Sequence, residues 1–162
     1  MPETIELRSP APEDGISVFR LVEQCPPLDQ NSVYCNLLQC THFASTSVSA
    51  VMKDELVGFI SGYRLPEHPE TLFIWQVAVG EKARGQGLAT RMLQDILERE
   101  GNADVAYLET TITESNKASW ALFEKLAQKL DAELTSSLMF DRERHFDGKH
   151  DSEMLVRIGP FK

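Results

Sequence analysis

The most restrictive feature of this sequence is a glycine-rich turn between an apolar run and a helical pattern. The run Thr71 to Val79 is apolar on both faces and is interrupted only by Gln76, the pattern of a strand covered on both sides. The turn follows as Arg84-Gly85-Gln86-Gly87-Leu88-Ala89, and the apolar residues after it recur at helical spacing. This order predicts a layered α/β fold with the strand at the centre of its sheet.

A turn of this kind can bind a phosphate. Backbone N–H groups at the start of a helix have no acceptor inside it, the helix dipole favours negative charge there, and glycine lets the ligand approach the main chain. A pyrophosphate would fit, although the same residues also suit a tight connection without a ligand. The dinucleotide-binding fold is a poorer match, because it places Gly-x-Gly-x-x-Gly after its first strand and this turn follows the fourth predicted one.

Strand and helix patterns alternate along the whole chain. We predict strands at Thr4 to Arg8, Ser45 to Met52, Leu56 to Leu65, Thr71 to Val79, Val105 to Thr110, Glu133 to Phe140 and Glu153 to Ile158. Helices are predicted from Pro12 to about Cys25, from Ser32 to Cys40, from Leu88 onward, and around Leu122 to Leu130. Since no repeat or linker interrupts this order, we expect one domain over residues 1–162.

Charge and cysteine content restrict the partners and the compartment. A net charge of -9 does not suit nucleic-acid binding, which needs a basic surface to displace counterions, whereas it suits a cationic substrate. Cys25, Cys35 and Cys40 show no CxxC pairing or disulfide framework, which favours reduced thiols. No run approaches the roughly 20 apolar residues that span a bilayer, and the first residues do not resemble a signal peptide. We therefore expect a cytoplasmic protein that binds neither nucleic acid nor membrane.

Two sequence elements resemble the acetyl-CoA signature of GNAT acetyltransferases. The first is Val77-Ala78-Val79 followed by the turn at residues 84–89, which matches the family pattern Arg/Gln-x-x-Gly-x-Gly/Ala. The second is the segment Asn116 to Ala127, in which an aromatic residue follows the asparagine by seven positions. The resemblance implies a GNAT fold, with a mixed central sheet that is splayed at the acetyl-CoA site and has helices on both faces.

The same resemblance implies how acetyl-CoA is bound. The turn backbone would hold the pyrophosphate, Val77 and Val79 would pair with the pantetheine arm through their main chains, and Asn116 would support that arm. A backbone N–H near Val77 would stabilise the oxyanion. The implied cofactor-binding residues are Val77, Ala78, Val79, Arg84, Gly85, Gln86, Gly87, Leu88, Ala89 and Asn116.

One residue departs from the family pattern. Phe123 stands where many members carry a tyrosine whose hydroxyl is thought to protonate the departing CoA thiolate. Phenylalanine has no proton to donate, so water or another group supplies it, or no acid is needed.

The other segments resemble the diaminobutyrate acetyltransferases of ectoine synthesis, and this resemblance covers nearly the whole chain. The matching segments are Pro26 to Tyr34, Leu37 to Phe43, Gly58 to Tyr63, Trp75 to Val79, Leu108 to Thr113 and His145 to Glu153. Polar strings gain little from packing, so their match is more informative than an apolar one. The resemblance implies a homodimer that acetylates the 4-amino group of the small diamino acid L-2,4-diaminobutyrate.

The implied acceptor pocket consists of Asp29, Tyr34, Trp75, His150 and Glu153. An amine with a pKa of about 10 is protonated at neutral pH, so carboxylates can attract it and a base or water chain must then remove its proton. On this basis Asp29 and Glu153 bind ammonium groups, Trp75 shapes the pocket, and Tyr34 and His150 transfer protons.

Several of these residues have a competing interpretation. Asp29 follows Pro26-Pro27 and suits a turn or a helix cap, and Trp75 in an apolar strand suits the core. His145 and His150 lie near acidic residues but lack an i,i+4 histidine pair or a cysteine partner, so no metal site is predicted. Two rival functions also remain, a GNAT enzyme for another amine and a non-catalytic acyl-CoA sensor, the latter because of Phe123.

Overall fold

The computed structural model describes residues 4–161, in which strands and helices alternate. The strands are β1 (Glu6–Arg8), β2 (Val48–Met52), β3 (Glu55–Leu65), β4 (His68–Val79), β5 (Tyr107–Thr113), β6 (Leu134–Phe140) and β7 (Glu153–Ile158). The α-helices are α1 (Gly15–Glu23), α2 (Val33–Gln39), α3 (Leu88–Glu98), α4 (Lys117–Lys129) and α5 (Arg142–Phe146). The predicted α/β class is confirmed.

The chain forms two compact units that share strand β4. Within the described part of the chain, the first holds residues 4–63 and Ile74–Asp104, and the second holds Arg64–Phe73 and residues 105–161. Strand order is β1-β2-β3-β4 in the first unit and β4-β5-β7-β6 in the second. Strand β4 therefore has a neighbour on each side, as its apolar sequence predicts. The single domain over residues 1–162 stays a prediction.

The sheet is mixed. The pairs β1–β2, β2–β3, β5–β7 and β6–β7 are antiparallel. Strands β4 and β5 are neighbours joined through helix α3, the crossover that parallel strands require.

Helices cover both faces of the sheet in the first unit. A Cβ on Gly58 would meet the Met92 side chain of α3 at 3.1 Å, so α3 packs closely against that side of β3. The next residue, Phe59, packs in an apolar cluster with Val18 and Leu21 of α1. Because successive strand residues point to opposite faces, α3 and α1 lie on opposite sides of β3.

A partly buried carboxylate at the N-terminus of α1 links this helix to β1 and β2. Asp14 accepts two hydrogen bonds from Arg8, at 2.7 and 3.0 Å, one from the Ala11 amide at 2.9 Å and one from the Ser49 hydroxyl at 3.2 Å. Burial alone would raise the pKa of the Asp14 carboxyl, but these donors outweigh it and hold the pKa below its usual value.

The second unit is built on a regular antiparallel ladder. Glu109 of β5 lies opposite Arg157 of β7, and their side chains form an ion pair at 2.7 Å. The Arg157 guanidinium also lies 4.0 Å from the centre of the Tyr107 ring, a cation–π distance.

Helix α4 buries Phe123, Leu126 and Ala127. The amide of Ala106, the residue immediately before β5, donates to the Glu70 carbonyl of β4 at 2.8 Å.

Differences from the predicted elements are local. Strand β2 begins at Val48 and not at Ser45, because Ala44–Thr46 form a 3-10 turn in which the Thr46 hydroxyl donates to the Gly62 carbonyl at 2.6 Å. Helix α5 was not predicted; it has five residues and is capped by Asp141. Within residues 4–161, no helix is both long and apolar enough to cross a membrane.

The Asp14 network predicts a pH-dependent contribution to stability. We expect Asp14→Asn to lower the free energy of unfolding at pH 7 by about 1.5 to 3 kcal/mol, the range for hydrogen bonds to charged groups. Because the folded-state pKa is depressed, this stabilisation is present above the unfolded pKa and is lost as the pH falls through the folded one. Urea unfolding of both proteins between pH 7 and pH 2 measures it, with the exposed Asp54→Asn as control. If the difference in unfolding free energy between the wild type and Asp14→Asn stays constant over this pH range, a charge-dependent role is contradicted.

Candidate active site

The glycine turn between β4 and α3 contains two residues in the left-handed backbone conformation. Gly85 has φ +77° and Gly87 has φ +70°, in the left-handed region that other residues rarely adopt. A Cβ on either glycine would meet no atom within 4 Å, so the turn is open on its outer side. Gly87 immediately precedes α3, whose first residue Leu88 is 2% exposed and anchors the helix in the core.

The turn leaves a run of backbone amides without acceptors. The Arg91 amide donates to the Gly87 carbonyl at 3.2 Å and is the first in α3 to be bonded in the helix. Within residues 4–161, the amides of residues 85–90 donate to no protein acceptor. The Arg84 side chain links the turn to the end of β4, because its Nε donates a hydrogen bond to the Val79 carbonyl at 3.0 Å. Six unpaired amides at a helix N-terminus make a site for an anion.

Among the last residues of β4, some side chains are buried in the core and others are exposed. Ala78 is 1% exposed and belongs to the apolar cluster with α1, whereas Val77 and Val79 are partly exposed. Trp75 is 42% exposed, so its interpretation as a core residue is wrong. Its ring packs edge-on against Tyr63, with centroids 6.1 Å apart and planes at 89°. Burial raises the pKa of the Tyr63 phenol.

The Asp29 loop is attached to β4 by a side chain. Gln76 donates from Nε2 to the Asp29 carbonyl at 2.8 Å, and the Asp29 side chain is exposed. Asp29 is not the cap of α2, because Ser32 accepts from the Cys35 amide at 3.0 Å in that role. Tyr34 lies in the first turn of α2 and is 69% exposed. The side chains of Asp29 and Tyr34 therefore both face solvent.

The predicted cofactor contact in the second unit begins helix α4. Asn116 is exposed, and its Oδ1 accepts a hydrogen bond from the Ser119 amide at 3.2 Å as the helix cap. Its side-chain N–H groups remain as donors for a ligand. Phe123 is 2% exposed and fills the core of this unit. The side chain at position 123 therefore contributes to the core and has no proton to donate.

His150 lies in the connection between β6 and β7, which is held at its base by Arg142. The Arg142 side chain binds Asp151 at 2.7 Å, and its amide donates to the Ser152 hydroxyl at 2.8 Å. The His150 Nδ1 lies 2.6 Å from the Asp151 carbonyl. Since a carbonyl only accepts, Nδ1 carries a proton and Nε2 is the basic nitrogen of the neutral ring. The ring packs on Phe146 with centroids 4.5 Å apart.

Glu153 follows directly as the first residue of β7, opposite Thr113 of β5, and is partly exposed. The His145 side chain is hydrogen-bonded to a nearby residue, since its Nδ1 accepts from the Asp141 amide at 2.8 Å. Across the part of the chain that the structure describes, no three His, Cys, Asp or Glu side chains are grouped as metal ligands are.

Two residues near the predicted site were not assigned a role from the sequence. Gln76 carried a signal, since it is the one amide side chain in an apolar strand. Tyr63 carried a weaker one, since an aromatic residue in a strand is most often explained by packing.

Comparison with known proteins identifies the family. Residues 13–127 match the model of the acetyltransferase (GNAT) family. An L-2,4-diaminobutyric acid acetyltransferase of Methylotuvimicrobium alcaliphilum is 63% identical over 98% of this chain and 92% of its own length. An L-2,4-diaminobutyric acid acetyltransferase of Vibrio cholerae is 53% identical over 93% of this chain and 87% of its own length. The structure of diaminobutyrate acetyltransferase from Paenibacillus lautus, in complex with L-2,4-diaminobutyric acid and coenzyme A, matches with a TM-score of 0.94, 38% identity and coverage of 99% and 98%. The chain therefore belongs to the GNAT acetyltransferases and, among them, to the family of L-2,4-diaminobutyric acid acetyltransferases.

Proposed function

We propose that this protein transfers the acetyl group of acetyl-CoA to the 4-amino group of L-2,4-diaminobutyrate, as a step of ectoine biosynthesis in the cytoplasm. The observation that carries the proposal is the match over 99% of the chain to an enzyme whose structure contains both this diamino acid and coenzyme A. No metal is proposed to take part.

The glycine turn supports the acetyl-CoA half of the reaction. A pyrophosphate carries the negative charge that six unpaired amides and the N-terminus of α3 favour. We propose that residues 84–89 bind it and that the exposed Asn116 contacts the pantetheine arm through its free amide N–H groups. Val77 and Val79 are proposed to pair with the arm through their backbones, as a strand pairs with an extended peptide.

Acidic residues in each unit support a cationic acceptor. Asp29 in the first unit and Glu153 in the second are proposed to bind its ammonium groups, and Trp75 to contact its carbon chain. With a net charge of -9, the protein as a whole also favours the approach of cations.

The chemistry requires two protons to leave the bound ammonium group, one before attack to give the neutral amine and one after the C–N bond has formed. The neutral amine attacks the thioester carbonyl, the C–S bond breaks, and CoA leaves as a thiolate. We propose that His150 Nε2 accepts the amine proton, with Tyr34 assisting, because the contact from Nδ1 to the Asp151 carbonyl keeps Nε2 basic. A thiol with a pKa of about 8.5 leaves without an acid, which agrees with Phe123 being buried in the core.

Strand β6 supports the proposed homodimer. It is the last strand of the second unit, and its sequence contains no charged residue. Leu138, Met139 and Phe140 are 55%, 41% and 38% exposed, although an exposed edge strand is usually protected by charge. Two copies that each carry a net charge of -9 repel least where they meet through an uncharged strand.

The cysteines support the proposed cytoplasmic location. Cys25, Cys35 and Cys40 are all free, and burial raises the pKa of the Cys40 thiol to about 12, so that thiol is unreactive.

The first prediction concerns the acceptor. We expect acetylation of L-2,4-diaminobutyrate at N4, with a kcat/KM at least about a hundredfold higher than for lysine, because lysine is two methylene groups longer and each costs about tenfold or more in a fitted pocket. Thiol release measures the rates, and NMR of the product locates the acetyl group. Equal turnover of the two amines, or CoA binding without turnover of any amine in a panel, would overturn the assignment.

The second prediction concerns the turn. Gly87→Val should raise the KM for acetyl-CoA strongly, because a β-branched residue strains the left-handed backbone and places its side chain over the unpaired amides. Gly101→Val is the matched control, since Gly101 is also open to solvent but has no positive φ. An acetyl-CoA KM that is the same in both variants would mean that the turn is only a connection.

The third prediction concerns the two carboxylates. Asp29→Asn and Glu153→Gln should each reduce kcat/KM for diaminobutyrate by about ten- to a hundredfold, since a charge-assisted hydrogen bond is worth about 1.5 to 3 kcal/mol. Binding of CoA, measured by calorimetry, should change little. A solvated surface ion pair is worth only about 0 to 1 kcal/mol, so a loss below about fivefold at either residue would contradict its role.

A further inference from the structure

Gln76 makes an unusual contact for a residue in an inner strand. Its Nε2 donates at 2.8 Å to the carbonyl of Asp29, which is 47 residues earlier in the chain. Among residues 4–161, this is the only hydrogen bond recorded for residues 29–31. The conformation of this exposed stretch therefore depends on one side chain of β4.

The ends of the Asp29 loop are fixed by other means. On one side Cys25 is buried, Leu28 packs against the same apolar cluster, and the Leu28 amide donates to the Cys25 carbonyl at 3.0 Å. On the other side Ser32 caps α2. Between these anchors the loop gains little from packing, because residues 29 and 30 are exposed and residue 31 is only partly buried.

We propose that Gln76 is a positioning residue for the acceptor amine. It holds the Asp29 backbone beside β4, at the strand position between Trp75 and Val77, and so limits the directions in which the Asp29 carboxylate can point. The proposal rests on the proposed function, in which Asp29 binds an ammonium group. In this role Gln76 acts on the amine through Asp29.

This role predicts which kinetic constants change. Gln76→Leu removes the donor at similar size, and Gln76→Glu keeps the shape but replaces the N–H with an oxygen that faces a carbonyl. Both variants should lower kcat/KM for diaminobutyrate by about tenfold, mainly through KM, because small displacements of a binding group are costly. The KM for acetyl-CoA should stay within about twofold, since the glycine turn is not involved.

A double-mutant cycle separates positioning from general support of the strand. In the Asp29→Asn background, Gln76→Leu should have little further effect on kcat/KM, because the group that it positions is already impaired. Gln128→Leu, at an exposed position of α4, is the control and should leave all constants unchanged. Thermal unfolding of each variant shows whether the fold is retained, and Gln76→Glu provides a second test if Gln76→Leu does not fold.

The outcomes are distinct. A wild-type protein that does not acetylate diaminobutyrate would overturn the proposed function. With an active wild type, the inference is wrong if both Gln76 variants keep kcat/KM within twofold, if the KM values of both substrates rise together, or if the effects of Gln76→Leu and Asp29→Asn are additive. A selective rise in the amine KM that disappears in the Asp29→Asn background supports it.

Discussion

Strand β4 and the turn that ends it impose the constraint on which the site depends. The strand has neighbours on both sides, and the chain must leave it and enter α3 within a few residues. Gly85 and Gly87 allow this because their φ values of +77° and +70° are accessible to glycine at little cost. The same geometry turns the amides of residues 85–90 away from protein acceptors. These amides suit the proposed binding of the acetyl-CoA pyrophosphate.

The end of β4 uses its side chains and its backbone for different purposes. Ala78 secures the strand to the apolar cluster of the first unit, while Val77 and Val79 leave their main chains for the proposed pairing with the pantetheine arm. Trp75 and Gln76 contribute through contacts with Tyr63 and the Asp29 loop. Packing, cofactor pairing and acceptor positioning are thus compatible within one short stretch of strand.

Of the two residues proposed for proton transfer, His150 is held by local contacts in the second unit. The connection that carries His150 is closed by the ion pair between Arg142 and Asp151 and by the cap that Asp141 provides for α5. The Asp151 carbonyl then selects the ring nitrogen that remains basic. Phe123 contributes only to the core, so the leaving thiolate has to depart without help from that position.

The sequence by itself determined the order and type of the main elements, the glycine turn and the family, because periodicity and turn chemistry depend on neighbouring residues. It did not predict α5, which is too short to show an apolar period, or the start of β2 at Val48. Only the tertiary structure decided that Trp75 is exposed and that Gln76 reaches Asp29. Contacts between residues far apart in the chain depend on how the elements pack, and composition and spacing along one strand do not encode that.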